Sequence, residues 1–169
     1  MARLAFLTFG LLKEPWGAPG VAGFEERAPG NFAAAAASPG FLGRSGLDGV
    51  SWGEWIYPAS LPTETYPRLA RTLSLWESLE AVYAFAYSGS HAESLRHRKE
   101  WVNEFPLPTY VAWWVADSHT PTWTESNDRL TLLHTDGPTP AAFTFKSAFT
   151  PEGESYALDS ALVKTLLVR

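Results

Sequence analysis

Apolar and polar positions alternate along residues 69–76, with Leu73 and Leu75 opposed to Thr72, Ser74 and Trp76. That period of two predicts a β-strand. Residues 2–9 form an apolar run closed by Gly10 and predict a buried first strand. Thr109 to Val115, rich in β-branched and aromatic side chains, predicts another. Helical signals lie between them. Residues 20–37 end in the alanine run Ala33–Ala37, with a kink or two short helices expected at Pro29-Gly30 and a stop at Ser38-Pro39-Gly40. Ser74 to Glu77 has capping-box spacing and predicts a helix to about Ala86, broken by Tyr87-Ser88-Gly89. Ser90 to Glu93 repeats the spacing and predicts a second helix to about Asn103, ended by Pro106 and Pro108. Thr122 to Glu125 opens a third, to about His134, closed by Gly137-Pro138. Residues 41–60, with glycine at 43, 46, 49 and 53, suggest irregular strands or a hairpin. Phe143 to Phe149 reads as a short strand or extended arm, and the tail after Gly153 carries no clear pattern. The order predicts an α+β fold, a ferredoxin-like unit with an antiparallel sheet, a C-terminal helix and an extended arm.

Composition narrows the function. At 169 residues the chain fits one domain spanning 1–169, large enough to fold without disulfide or metal. Its net charge of −5 and its scattered basic residues argue against nucleic acid, since the cluster Arg96, Arg98, Lys99 is flanked by Glu93, Glu100 and Glu104. With no cysteine there is no thiol catalysis and no cysteine-based metal site, which is consistent with the cytoplasm. No apolar run approaches a membrane span, and the N-terminus lacks the long apolar region of a signal peptide. No Walker loop, dinucleotide fingerprint, H-E-x-x-H or nucleophile elbow is present.

The candidate chemistry is therefore in scattered polar residues. On the helix expected over 90–105, an inward stripe would comprise His91, Leu95, Arg98, Val102 and Phe105. Burying His91 and Arg98 without partners would cost several kcal/mol, about 2–7 per polar group. They therefore need partners, such as an ion pair for Arg98, or a ligand, or a water-filled cavity. Arg96, His97 and Lys99 read as a solvated face with i,i+4 pairs Glu93–His97 and Arg96–Glu100. Trp113 and Trp114 are adjacent in a strand and point to opposite faces, as core packing or as the wall of an aromatic pocket. Glu125 and Arg129 have ion-pair spacing, and His134 suits its helix C-terminus. His119 reads as a backbone or capping donor. Asp117, His119 and Glu125 could in principle bind a metal, but no spacing fixes them, and no metal site is expected.

Three runs carry a family resemblance: SLWESLEAVYAFAYSGSHAESLRHRKEW at 74–101, VAWWVADSHTPTWTE at 111–125 and GPTPAAFTFKSAF at 137–149, with LAFLTFG near the start and SPGF at 38–41. Together they resemble the bacterial domain-of-unknown-function family numbered 3291. That family looks related to the dimeric α+β barrels, which include cofactor-independent monooxygenases, isomerases and some haem enzymes. The resemblance implies a homodimer whose two sheets form a barrel. The matching polar residues are His91, Arg98, Trp101, Trp114, His119, Glu125 and Arg129. The chain departs from the family at Thr8, where an Asn is usual, at Gly43-Arg44 in place of Trp-Arg, and at Ser118 in place of Gly.

These readings lead to a small-molecule-modifying enzyme of monooxygenase, cyclase or isomerase type, acting on an apolar or aromatic substrate in an interior cavity. His91 would act as proton acceptor and Arg98 would stabilise a developing enolate. Trp76, Trp101, Trp114, His119, Glu125 and Arg129 would line the pocket. No cofactor is expected; a haem variant would use His91 or His119 as proximal ligand. The alternatives are a noncatalytic small-molecule-binding domain and a structural dimer.

Overall fold

The first strand, β1 (Ala2–Leu11), forms the spine of the sheet, with Leu4, Ala5, Phe6 and Leu7 all buried. An unbroken apolar run of this kind is buried on both faces. In the computed structural model, which describes residues 1–167, it is followed by α1 (Ala22–Ala37), β2 (Phe41–Arg44) and β3 (Leu69–Trp76). Next come α2 (Leu79–Ala86), α3 (Gly89–His97), β4 (Tyr110–Ala116) and α4 (Trp123–Asp136). The chain then runs through the two-stranded β5 (Ala148–Phe149) and β6 (Ser155–Tyr156) to α5 (Ser160–Leu167). The main sheet has the order β2-β3-β1-β4, every neighbouring pair antiparallel. This is the α+β, ferredoxin-like arrangement, with α2 and α3 together in the place of its second helix.

Both faces of the sheet are covered by the chain itself. On one, Leu4, Phe6, Trp76 and Ala112 pack with Ala35 of α1, Leu79 and Val82 of α2, and Phe143 of the arm. On the other, Ala5, Leu7, Leu73, Leu75, Val111 and Trp113 pack beneath Trp123, Leu130 and Leu133 of α4. The loop after β2 completes that second layer through Trp52, Leu61 and Tyr66. It is tied to the start of α4 by Trp123 N–H donating to Trp52 O (3.1 Å). At that contact Gly53 has φ +82°, and a Cβ there would stand 3.2 Å from Thr122 Cβ. Gly40 has φ +78°, with only 2.7 Å from a would-be Cβ to Ala81 Cβ, so the turn into β2 packs directly on α2.

Several sequence expectations are corrected here. Helix α1 runs through Pro29 without dividing into two. The cap of α2 is Ser78, whose Oγ accepts from Ala81 N–H (3.1 Å). Ser74 stays in β3, where its Oγ accepts from Trp76 Nε1 (2.9 Å). Helix α3 ends at His97 and gives way to a 3-10 turn over Arg98–Glu100, so the stripe drawn to Phe105 is not one helical face. Trp113 is fully buried beneath α4, and half-buried Trp114 donates to Phe149 O (2.7 Å). Among the described residues no helix is long and apolar enough to cross a membrane.

Candidate functional site

Helix α4 begins at a capped turn: Thr122 Oγ1 accepts from Glu125 N–H (3.2 Å). This places Glu125 in the first turn, above the edge strand β4. There the indole of Trp113 donates from Nε1 to Glu125 Oε1 (2.9 Å). The other carboxylate oxygen, Oε2, accepts from His119 Nε2 (2.7 Å). His119 stands at the end of a tight turn closed by its own N–H donating to Ala116 O (3.0 Å). Arg129, one helical turn on, brings Nη2 to 3.7 Å from Glu125 Oε1 and donates through Nη1 to Ala141 O (3.1 Å).

The burial is graded. Trp113 is inaccessible, the Glu125 side chain is 20% exposed and that of His119 is 47% exposed. A carboxylate accepting from Nε2 fixes the neutral imidazole with its lone pair on Nδ1. The constellation is therefore a proton acceptor oriented by a carboxylate that is itself oriented by a buried indole. Glu125 and Arg129 also line an open depression of about 470 Å³ on the outer face of α4, with Thr122, Thr124, Asp128 and Leu132.

A second constellation lies under the loop after β2. Arg71 points from β3 to the α4 side of the sheet and is 8% exposed. Its guanidinium lies over Trp55 (4.3 Å), Trp123 (4.9 Å) and Tyr57 (5.3 Å). It donates through Nη1 to Asn127 Oδ1 (3.1 Å) and through Nη2 to Ile56 O (2.7 Å). Burial lowers its pKa to about 10, against the opposing influence of the Tyr57 and Tyr66 phenols. Sequence reading missed this residue because a lone Arg in a strand has no signature. Its aromatic neighbours come from a segment without a regular period.

The remaining expected site residues are dispersed. His91 is half-buried on the helix side of the sheet, its Nδ1 donating to Ala86 O (2.8 Å) and its ring 4.7 Å from that of Phe85. Arg98, in the 3-10 turn, is exposed, so His91 and Arg98 do not share an interior space with a tryptophan of β4. Trp76 is core packing between Phe41 and Phe85. Trp101 is buried with Leu12 and Val21, with Arg27 over its ring at 4.8 Å. Trp114 faces the arm. Only His119, Glu125 and Arg129 come together, and the tryptophan that joins them is Trp113.

His119 pairs with Glu125 where a backbone or capping role was expected, and His97 pairs with Glu100 at 2.7 Å. Asp117 pairs with Arg3 at 2.6 Å, and no group of three metal-ligating side chains forms among the described residues. The residues around the two candidate haem ligands do not fit that group. His91 packs tilted against Phe85 with its Nδ1 bonded to Ala86 O, and the depression beside Glu125 is lined by five polar residues and one leucine, where a porphyrin requires an apolar slot.

Comparison with solved structures finds likenesses at low identity. A conserved protein from Methanosarcina mazei Go1 is 10% identical with a TM-score of 0.45, covering 68% of this chain and 92% of that one. A protein of unknown function from Nitrosomonas europaea is 12% identical, with a TM-score of 0.46 and coverage of 72% and 97%. The "putative antibiotic biosynthesis monooxygenase" from the same organism is 11% identical, with a TM-score of 0.44 and coverage of 72% and 93%. Comparison with the curated proteins finds no match. The model of the Domain of unknown function (DUF3291) matches residues 3–159, and the chain belongs to that family.

Proposed function

We propose that the protein is a small-molecule-modifying enzyme of the isomerase or cyclase type, with His119 as its proton acceptor. The observation that carries this reading is the 2.7 Å hydrogen bond from His119 Nε2 to a carboxylate already fixed by Trp113. It leaves Nδ1 as the basic atom of a half-exposed ring. In the proposed step, Nδ1 takes a proton from carbon next to a carbonyl, and the released electron pair moves onto the carbonyl oxygen. The imidazolium returns the proton to another position, and the atoms balance without a further reactant. Glu125 stabilises the transient imidazolium, and the N–H groups of Arg129 not used by Ala141 are donors available to the enolate oxygen.

The test is deuterium incorporation into 2-tetralone, an aromatic ketone with an acidic C–H, followed by proton NMR in D₂O. The wild-type protein accelerates exchange over buffer, and His119→Ala loses about 10²–10⁴-fold of that acceleration. Exchange no faster than buffer, or equal in both proteins, overturns the reading.

A further inference from the structure

Among the described residues Arg71 is a cation without a counter-ion. A guanidinium carries five N–H donors, and a buried one is ordinarily paired with a carboxylate. Here two neutral oxygens take one bond each, from Asn127 and Ile56. Nε–H is shut away from solvent with no partner. No Asp or Glu lies within ion-pair distance of it among the described residues. The rings of Trp55, Tyr57 and Trp123 offset part of the desolvation through their π-faces, but they cannot accept the Nε–H bond in its plane.

The cover over this cation is thin. Trp55 is 48% exposed and Tyr57 40% exposed. Both belong to a stretch, residues 54–58, with no helix or strand. The floor is firm by contrast: β3 supplies Arg71, and α4 supplies Trp123 and Asn127. A floor of sheet and helix with one orphaned N–H, under an aromatic cover held in a loop, leaves a donor for a ligand to satisfy.

We propose that Arg71, Asn127, Trp55, Tyr57 and Trp123 form a binding site for a small aromatic carboxylate. With the loop of Trp55 and Tyr57 lifted from the cation, the carboxylate accepts the Nε–H and the neighbouring Nη–H side by side, the bidentate geometry that guanidinium favours. The ring of the ligand stacks against the indole and phenol faces that cover the cation. A single guanidinium with no second basic group among its contacts matches a monoanion, and the aromatic walls match a flat apolar body. The site is independent of His119 and requires no turnover.

Isothermal titration of the full chain with benzoate, benzyl alcohol and inorganic phosphate tests this. Benzoate binds at one site per chain, while the neutral alcohol and phosphate bind at least tenfold more weakly. Arg71→Lys keeps a positive charge but loses the fork, and weakens benzoate at least tenfold. Trp55→Ala removes a half-exposed ring and does the same, so the result stands even where Arg71→Lys fails to fold. His119→Ala binds benzoate as the wild type does, so this proposal and the proton-transfer reading fail separately. Absence of benzoate binding, equal binding of benzyl alcohol or phosphate, or unchanged benzoate affinity in Trp55→Ala overturns the proposal.

Discussion

Trp113 Nε1 donates to Glu125 Oε1 at 2.9 Å, joining a fully buried indole of the sheet to a carboxylate in the first turn of α4. The bond serves packing and, in the proposed reaction, chemistry at once. It satisfies the only polar atom of a core tryptophan, and it sets the carboxylate against which His119 is aligned.

The two roles separate by substitution. Glu125→Gln retains an acceptor for the indole and leaves stability near that of the wild type. Glu125→Ala leaves the Trp113 N–H buried without a partner and costs about 1–3 kcal/mol. Chemical denaturation of the two variants, read by tryptophan fluorescence, measures the difference. Equal stability of both would show that the indole bond contributes nothing.

A second clasp holds the C-terminal segment. Glu80 of α2 is 3% exposed and accepts from Tyr156 Oη (2.7 Å) and Asp159 N–H (3.1 Å). The bond to Glu80 raises the Tyr156 pKa to about 12. Tyr156→Phe removes one of the two donors to a buried carboxylate and costs about 1–3 kcal/mol. Limited proteolysis then cuts the segment after residue 150 sooner than in the wild type. An unchanged cleavage rate would show that the arm is held by its apolar contacts alone.

Burial lowers the pKa of His91 below its usual 6.5, against the opposing bond to Ala86 O. The folded state therefore binds the proton less readily than the unfolded chain. The resulting stability is complete above pH 6.5 and is lost as pH falls through the folded pKa. Thermal midpoints measured from pH 7.5 down to pH 5 fall in the wild type by more than in His91→Gln. Parallel profiles would contradict the assignment.

The sheet faces are covered within one chain, so their protection is concentration-independent. Amide hydrogen exchange of β1 and β4 is the same at micromolar concentrations and a hundredfold above. Protection that rises with concentration would show that a second copy contributes to the protection of the sheet.

The strands were legible because alternation survives in any context that buries one or both faces. Residues 69–76 and the opposed orientations of Trp113 and Trp114 follow from the period alone. Helix boundaries were less legible where two patterns compete. The spacing from Ser74 to Glu77 fits a capping box, yet Ser74 faces Phe6 in the sheet and the helix waits for Ser78. The helical phase from His91 failed once Arg98 entered a 3-10 turn: Trp101 turned inward onto Leu12 and Val21, while Phe105 reached the opposite layer against Phe9. Glu125 and Arg129 were placed together by helix spacing, and the family resemblance added His119. Arg71 was invisible because Trp55 and Tyr57 reach it from a loop whose path no local pattern encodes.

In the proposed reaction His119 and Glu125 act as one unit in proton transfer. The measurement is the rate of deuterium exchange into 2-tetralone by the wild type, His119→Ala, Glu125→Gln and the double variant, each confirmed folded by circular dichroism. Residues that work as a unit are non-additive. The double variant is then no slower than His119→Ala alone, with Glu125→Gln between it and the wild type. Independent, multiplying losses, or a rate in His119→Ala equal to that of the wild type, would contradict the proposal.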